Sequence, residues 1–253
     1  MVRLKKKHLV FLGRVAESSF RLAPGLTKMT IAWFYDRRAG QGFYFPELNC
    51  IYVPIPKVAT VSILRWFGEV LAERYGRESF LSREVSAHHL PFKRVDRGSM
   101  ERLSSECLTF SVVRNPFERI ASCYLNRVKE DSHYMGFLRY GNLFRKKLSF
   151  PDFLKEVYQI RDEASDQHFR SQSWYLTGPS GNLYTDRFFR LDRLADDFHV
   201  VQRHVGEEDR PLVNSRKPQG KYRYKSMYSE ETKDLVRERY QKDFELLGYS
   251  MDF

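Results

Sequence analysis

The chain is poor in cysteine, and the little it has is badly placed for cross-linking. Cys50, Cys107 and Cys123 make an odd count, and none belongs to a CxxC pair or a Cys/His cluster. A disulfide framework and a zinc site are therefore disfavoured, and buried free thiols are expected. Long apolar runs are lacking as well. The basic N-terminus carries only the stretch from Leu9 to Leu12, far short of the ~20 residues a membrane-spanning helix needs and short even for the apolar part of a signal peptide. Glycine is missing where a nucleotide-phosphate loop would use it. None lies between Cys50 and Phe67, so the GxxxxGK[ST] pattern is absent and an ordinary ATPase or GTPase is disfavoured.

What is present suits one folded unit. The 253 residues are 42% hydrophobic and 15% aromatic, enough to fill a single core and too apolar for a disordered chain. We read residues 1–45 as a variable N-terminal segment and residues 46–253 as the organised part of one domain. Lys and Arg total 43 against 32 acidic residues, a formal charge of +11. Such an excess favours anionic partners: a phosphorylated cofactor, an acidic polysaccharide, nucleic acid or a membrane surface. The charges are spread along the chain, so composition does not choose among these.

Periodicity supplies the organisation. Cys50 to Ile55 is a short β-rich run, followed by Ile63, Phe67, Val70 and Leu71 at helical spacing to about Arg74. Leu108 to Val113 is a near-continuous apolar run, as expected of a strand buried on both faces. After Arg114 comes a well-marked helix start, with Asn115 as N-cap, Pro116 at the first helical position and Glu118 placed to close a capping box. Phe117, Ile120, Ala121, Tyr124, Leu125 and Val128 form its apolar stripe. Phe150 to Tyr158 reads as a helix, Leu183 to Leu191 as β-like, and Leu194, Phe198, Val201 and Val205 as a further helix. A closing helix starts at Ser229 and ends at Gly248. Strands alternating with helices imply a parallel sheet covered on both sides.

Two of the strand-to-helix junctions carry residues suited to anions. Ligands of open α/β sheets bind at the carboxyl ends of the strands, where helix N-termini present free N–H groups. After the first strand, Pro56, Lys57, Val58, Ala59, Thr60, Val61 and Ser62 offer backbone amides, one mobile ammonium and two hydroxyls. After the second, Arg114 precedes a helix N-terminus, and Ser122 returns to a similar face about two turns on. A guanidinium fork and a hydroxyl are suitable donors for a terminal phosphate. The plainer alternatives are a surface turn at Lys57 and a structural ion pair at Arg114.

Together the two segments resemble the carbohydrate sulfotransferases that use 3′-phosphoadenosine 5′-phosphosulfate (PAPS), the group that includes chondroitin and heparan sulfate 2-O-sulfotransferases. The family's 5′-phosphosulfate loop, Pro-Lys-x-Ala-[Ser/Thr]-x-Ser, is matched by Pro56 to Ser62. Its 3′-phosphate motif, Arg-[Asp/Asn]-Pro-x-x-Arg-x-x-Ser-x-Tyr, is matched in full by Arg114 to Tyr124. The segment Ser165 to Gln172 looks like the family's Asp-x-His segment, Arg190 to Phe198 like its later strand-helix element, and Tyr228 to Tyr249 like its closing helix. The likeness runs from about Ile51 to Tyr249.

The resemblance implies a three-layer α/β sandwich with a central parallel sheet, the P-loop nucleotide-hydrolase-like sulfotransferase fold. It also implies PAPS as donor, with Lys57, Thr60, Ser62 and the loop amides on the 5′-phosphosulfate and Arg114 and Ser122 on the 3′-phosphate. Arg119 would contact the donor or brace the site. The acceptor would be a carbohydrate, with an acidic one suited to the basic chain. A catalytic base is needed because a sugar hydroxyl is a poor nucleophile. By the same resemblance His89 fits that role, with His88 in reserve and Glu84 after it. His168, Arg216 and Lys217 are candidates for acceptor contact. No metal is implied, since no ligand spacing is present.

Expected localisation is cytoplasmic, as a soluble bacterial-type enzyme, with a Golgi-luminal domain lacking its anchor as the alternative. Two other functions compete. A kinase-like phosphoryl transferase would need the Walker glycines, and a non-catalytic polyanion binder would need no paired phosphate sites. Nucleic acid is disfavoured as a partner because no recognition-helix, zinc-finger or aromatic RNA-binding signature is evident.

Overall fold

The computed structural model describes residues 41–76, 92–129, 148–184, 187–212 and 224–252. In chain order the helices and strands are β1 (Gly42–Phe45), β2 (Cys50–Val53), α1 (Thr60–Tyr75), β3 (Lys93–Val95), α2 (Arg97–Leu103), β4 (Leu108–Val113), α3 (Pro116–Tyr124) running into a π turn (Leu125–Lys129), α4 (Phe150–Tyr158), α5 (Gln172–Leu176), β5 (Arg187–Arg190), α6 (Leu194–Asp197), α7 (His199–Val205), α8 (Glu230–Arg239) and α9 (Gln241–Leu247).

The strands form one sheet in the order β3-β1-β2-β4-β5. β2 pairs parallel with β4, and β4 with β5, whereas β1 is antiparallel to both its neighbours. Four strands thus share a direction and β1 alone opposes them, a mostly parallel sheet where a wholly parallel one was expected. The cause is the link from β1 to β2. Only the 3-10 turn Pro46–Leu48 and a left-handed Asn49 separate the two strands, and a link that short permits a hairpin but not a parallel crossover. The sheet also begins at Gly42, ahead of the Phe45 boundary read from the sequence. Gly42 has no room for a side chain: a Cβ there would lie 2.4 Å from Sδ of Met100 and 2.8 Å from Cγ2 of Ile51.

Helices cover both faces. On one, Phe45 stacks on Phe67 of α1 at 4.3 Å between ring centroids, and Phe110 of β4 meets Phe198 at 6.4 Å. The α1 residues Ile63, Phe67, Val70 and Leu71 are all fully buried, and left-handed Gly76 ends the helix. On the other face Met100 of α2 packs over Gly42 and Ile51. A second core lies between α3, α4, α8 and α9, built on Phe117, Ile120, Phe153, Val157, Phe169, Val236, Tyr240 and Phe244. The three cysteines are buried and unbridged. Among the described residues no helix is long and apolar enough to cross a membrane.

Several elements differ from their sequence reading. Among the described residues strand β5 spans Arg187–Arg190, and Leu183 makes an isolated antiparallel bridge to Thr177. The helix carrying Leu194 to Val205 is two short ones, α6 and α7. The closing helix is also split at Tyr240, whose φ of −117° and ψ of 24° leave the helical region. The Tyr240 ring is sunk in the second core, and its hydroxyl donates to the Phe169 carbonyl at 2.6 Å. That bond fixes the side chain at the junction of α8 and α9.

Candidate functional site

Because β2 and β4 are adjacent and parallel, with Val53 opposite Ser111, the loops leaving their carboxyl ends emerge side by side. The first runs from Pro54 to Ala59 and enters α1. Lys57 and Ala59 both take left-handed φ values, 74° and 67°, although neither is glycine. A β-carbon makes that region unfavourable by about 1–2 kcal/mol per residue, and such strain persists where a backbone shape is needed. Left-handed residues within a turn are the backbone form from which anion-holding nests are built. The amides of Val58, Ala59, Thr60 and Val61 find no acceptor among the described residues. Those of Ser62 and Ile63 already donate to the Ala59 carbonyl. The loop thus offers four donors at the positive end of a 16-residue helix.

Its side chains divide by role. Val58 is buried in the core, Val61 is exposed and Ser62 is buried. The Thr60 hydroxyl donates to the Ile55 carbonyl at 2.7 Å and accepts from Tyr52 at 3.3 Å. Its proton is thus engaged by the loop itself. Burial also pushes the Tyr52 phenol up from its ordinary pKa, so it remains a neutral donor. The Lys57 ammonium reaches across to Asn126 Oδ1 at 2.7 Å.

The second loop begins at Arg114. Asn115 caps α3 by accepting from the Phe117 amide at 2.9 Å, with Pro116 at the first helical position. Glu118 does not close a capping box. Its carboxylate accepts from Arg114 Nε at 3.1 Å and from the Tyr224 hydroxyl at 2.9 Å. The Arg114 guanidinium also donates from Nη1 to the Lys57 carbonyl at 3.4 Å, so the two candidate loops touch. Glu118, Ser122 and Asn126 follow Arg114 at four-residue spacing, and all four residues are partly exposed.

Arg119 lies on the opposite side, 2% exposed. It donates to the carbonyls of Pro56 at 3.1 Å, Arg170 at 2.7 Å and Gln167 at 3.4 Å. It is a brace joining the first loop to the Asp166–Gln172 segment, and it works through backbone carbonyls instead of an ion pair. In that segment His168 Nδ1 lies 2.6 Å from Asp166 Oδ1. His88, His89, Arg216 and Lys217 lie outside the described residues.

Sequence reading missed the residue that holds Arg114 in place. Gln172 is fully buried, and its side-chain amide pairs with both backbone groups of Arg114: Oε1 accepts from the N–H at 2.9 Å, and Nε2 donates to the C=O at 2.7 Å. Gln172 is held in turn by Asp243, whose carboxylate accepts from the amides of Gln172 and Ser173, both at 2.7 Å. Burial pushes the Asp243 carboxyl up from its ordinary pKa even against those bonds. No sequence pattern signals this, because the partners lie 58 and 71 residues apart. Gln172→Met keeps the volume and strands two peptide groups of Arg114. It is expected to lower stability in urea unfolding by about 1–3 kcal/mol.

Among the described residues no group of His, Cys, Asp and Glu is arranged to hold a metal ion. A shallow opening of about 470 Å³, lined by residues including Asn49, Glu106, Arg187 and His204, lies at the amino ends of the strands, away from this cluster. With one arginine and one glutamate it is a poorer match to a multiply charged anion than the nest, Lys57 and Arg114. A family model described as "Sulfotransferase family" matches residues 41–250. No curated protein and no solved structure matches the chain.

Proposed function

The chain belongs to the sulfotransferase family, the one that includes chondroitin and heparan sulfate 2-O-sulfotransferases, and from that premise we propose that it moves a sulfuryl group from PAPS to a hydroxyl of a carbohydrate. One observation carries the reading: two loops 57 residues apart in the chain meet where Arg114 touches the Lys57 carbonyl, beside four amides turned into a nest. That juxtaposition brings two cationic residues and a run of backbone N–H groups close together, which supports a nucleotide bearing anionic groups at both its 5′ and 3′ ends as the ligand. The arrangement is P-loop-like in form, with strand, nest and helix, but has no glycine in the loop.

The residues fit the donor in chemistry as well as in number. Bound there, the donor supplies the sulfuryl group and a phosphate leaving group. The nest amides from Val58 to Val61 hold the 5′-phosphosulfate, and the Lys57 ammonium faces the oxygen on which negative charge builds as the bond to sulfur breaks. Arg114, with Ser122 of the helix that follows it, takes the 3′-phosphate, the group that separates this donor from ATP. Arg119 and Gln172 hold the two loops in register without touching the ligand. The acceptor hydroxyl must lose its proton as its oxygen attacks sulfur, and we assign that proton to His89, with His88 as the substitute. Arg216 and Lys217 are proposed acceptor contacts, and the +11 charge favours an acidic glycan.

The direct test incubates the protein with labelled PAPS and a panel of neutral and acidic oligosaccharides, with sulfate addition read by mass spectrometry. Calorimetry should show adenosine 3′,5′-bisphosphate binding more tightly than ATP; the reverse order would return the chain to a kinase-like reading. His89→Ala is expected to bind the bisphosphate as the unaltered protein does while transfer falls by about 10²–10⁴, the usual worth of a general base. Unchanged transfer in that variant would move the proton to His88.

A further inference from the structure

Arg114 carries its charge on a long side chain, and its contacts fix that side chain one edge at a time. Gln172 clamps the peptide on both sides, accepting from the N–H at 2.9 Å and donating to the C=O at 2.7 Å. Further out, Nε donates to Glu118 Oε2 at 3.1 Å and Nη1 to the Lys57 carbonyl at 3.4 Å. Nη2 has no acceptor among the described residues. A guanidinium presents its five N–H donors as a flat fork, either from the side through Nε and one Nη or from the end through both Nη groups. Glu118 occupies the side, so the end is the edge left for a phosphate. Each Nη carries two protons, and the Lys57 carbonyl leaves one of those on Nη1.

Glu118 is itself held. Its other oxygen, Oε1, accepts from the Tyr224 hydroxyl at 2.9 Å, so each carboxylate oxygen has a fixed donor. On charge alone a carboxylate is a poor choice here, because it offsets Arg114 and repels a phosphate. What it supplies is geometry. A loose arginine side chain carries about 2 kcal/mol of rotamer entropy, and a ligand that met it loose would have to remove that freedom on binding.

We propose that Glu118 is a positioning residue for donor recognition: it fixes the Nε edge of Arg114 and so presents the Nη1–Nη2 end to the 3′-phosphate. This rests on the sulfotransferase reading of the site. The fixed end also sharpens selectivity, because a terminal phosphate can accept two parallel N–H bonds, whereas a 3′-hydroxyl has one uncharged oxygen.

The experiment compares Glu118→Gln with Glu118→Ala in the full chain, with affinities for adenosine 3′,5′-bisphosphate and adenosine 5′-phosphate read by calorimetry. Both variants lack the charge, and only Glu118→Gln keeps an oxygen for Nε. Glu118→Ala is expected to bind the bisphosphate about tenfold or more weakly than Glu118→Gln, the worth of one hydrogen bond to a charged group. For adenosine 5′-phosphate the two should differ by less than about threefold. In an Arg114→Ala background the bisphosphate gap should also close to less than about threefold, since no guanidinium is left to aim. A packing role for Glu118 predicts a gap that survives in that background, and that result would overturn the proposal. So would equal bisphosphate affinity of the two single variants, or a gap of the same size for both nucleotides. If the unaltered chain binds the bisphosphate no more tightly than adenosine 5′-phosphate, the reading of Arg114 fails and this inference with it. An unaltered chain that discriminates, with Glu118 variants that bind alike, defeats the inference alone.

Discussion

Lys57→Ala is expected to reduce kcat for PAPS-dependent transfer by about 10²–10³, while affinity for adenosine 3′,5′-bisphosphate falls by less than about tenfold. The asymmetry follows from where the charge sits. On the proposed reading the amides of Val58 to Val61 would face the 5′ end of the ligand already in the ground state, and they belong to the backbone, so the substitution leaves them in place. The ammonium is needed most when the bond to sulfur breaks and the phosphate oxygen gains charge. Removing one donor aimed at such an oxygen typically costs about 2.7–4 kcal/mol of transition-state stabilisation. The substitution must also leave the loop in its shape, because Lys57 has a φ of 74°. Lys57→Gly would relax that strain while deleting the same ammonium. The two variants should therefore lose kcat alike, and a large difference between them would assign the loss to loop geometry instead of charge. Weaker bisphosphate affinity with unchanged kcat at saturating donor would mean that Lys57 serves binding alone.

The parts of this site that could be read from the sequence are those made by neighbours in the chain. The strand Leu108–Val113, the cap at Asn115 and Pro116, and the helix after the Lys57 loop are local matters of periodicity and capping, and the structure has each of them where the residues place it. The meeting of the two loops could be inferred only through the parallel-sheet rule, which puts strand ends side by side. What stayed hidden was set by partners far apart. Glu118 sits where a capping box needs it, three residues after Asn115, but in the folded chain Tyr224 and Arg114 offer it stronger donors. Arg119 stands in the middle of a phosphate motif and faces the interior, where three carbonyls take its protons. Thr60 has a hydroxyl at the right place in the loop, and the Ile55 carbonyl uses it. Arg119 and Thr60 are of types that bind anions and Glu118 is of a type that caps helices, and in each case tertiary competition decided what the side chain binds. The reversed strand β1 was missed for a different reason: its hairpin turn is made of Pro46 to Asn49, without the Asn-Gly or Asp-Gly pair that marks the tightest turns.

Arg114→Ala is expected to weaken adenosine 3′,5′-bisphosphate by about a hundredfold and adenosine 5′-phosphate by less than about threefold, with kcat at saturating donor falling far less than in Lys57→Ala. A hydrogen bond to a charged group contributes about 1.5–3 kcal/mol, and about 2.7 kcal/mol is a hundredfold in affinity. The loss should be confined to the ligand that carries a 3′-phosphate, because the guanidinium lies at the start of α3 while the nest serves the other end. Arg114→Lys should recover little, since an ammonium cannot present two parallel N–H donors from a planar group. The surrounding contacts limit how far the alanine variant can disturb the fold. Gln172 grips the peptide of residue 114 through its N–H and C=O, which alanine retains, and Glu118 keeps its bond from Tyr224. Glu118 would, however, lose the cation beside it and stand unopposed near the phosphate position. Part of the measured loss would then be repulsion, and the double variant Arg114→Ala with Glu118→Gln separates the two contributions. If the second change restores about tenfold or more, repulsion supplies at least half of the effect on a logarithmic scale. If it restores nothing, the whole loss belongs to the guanidinium. Equal weakening of both nucleotides by Arg114→Ala would instead mean that this arginine shapes the Lys57 loop through its contact with the Lys57 carbonyl and does not read the 3′-phosphate.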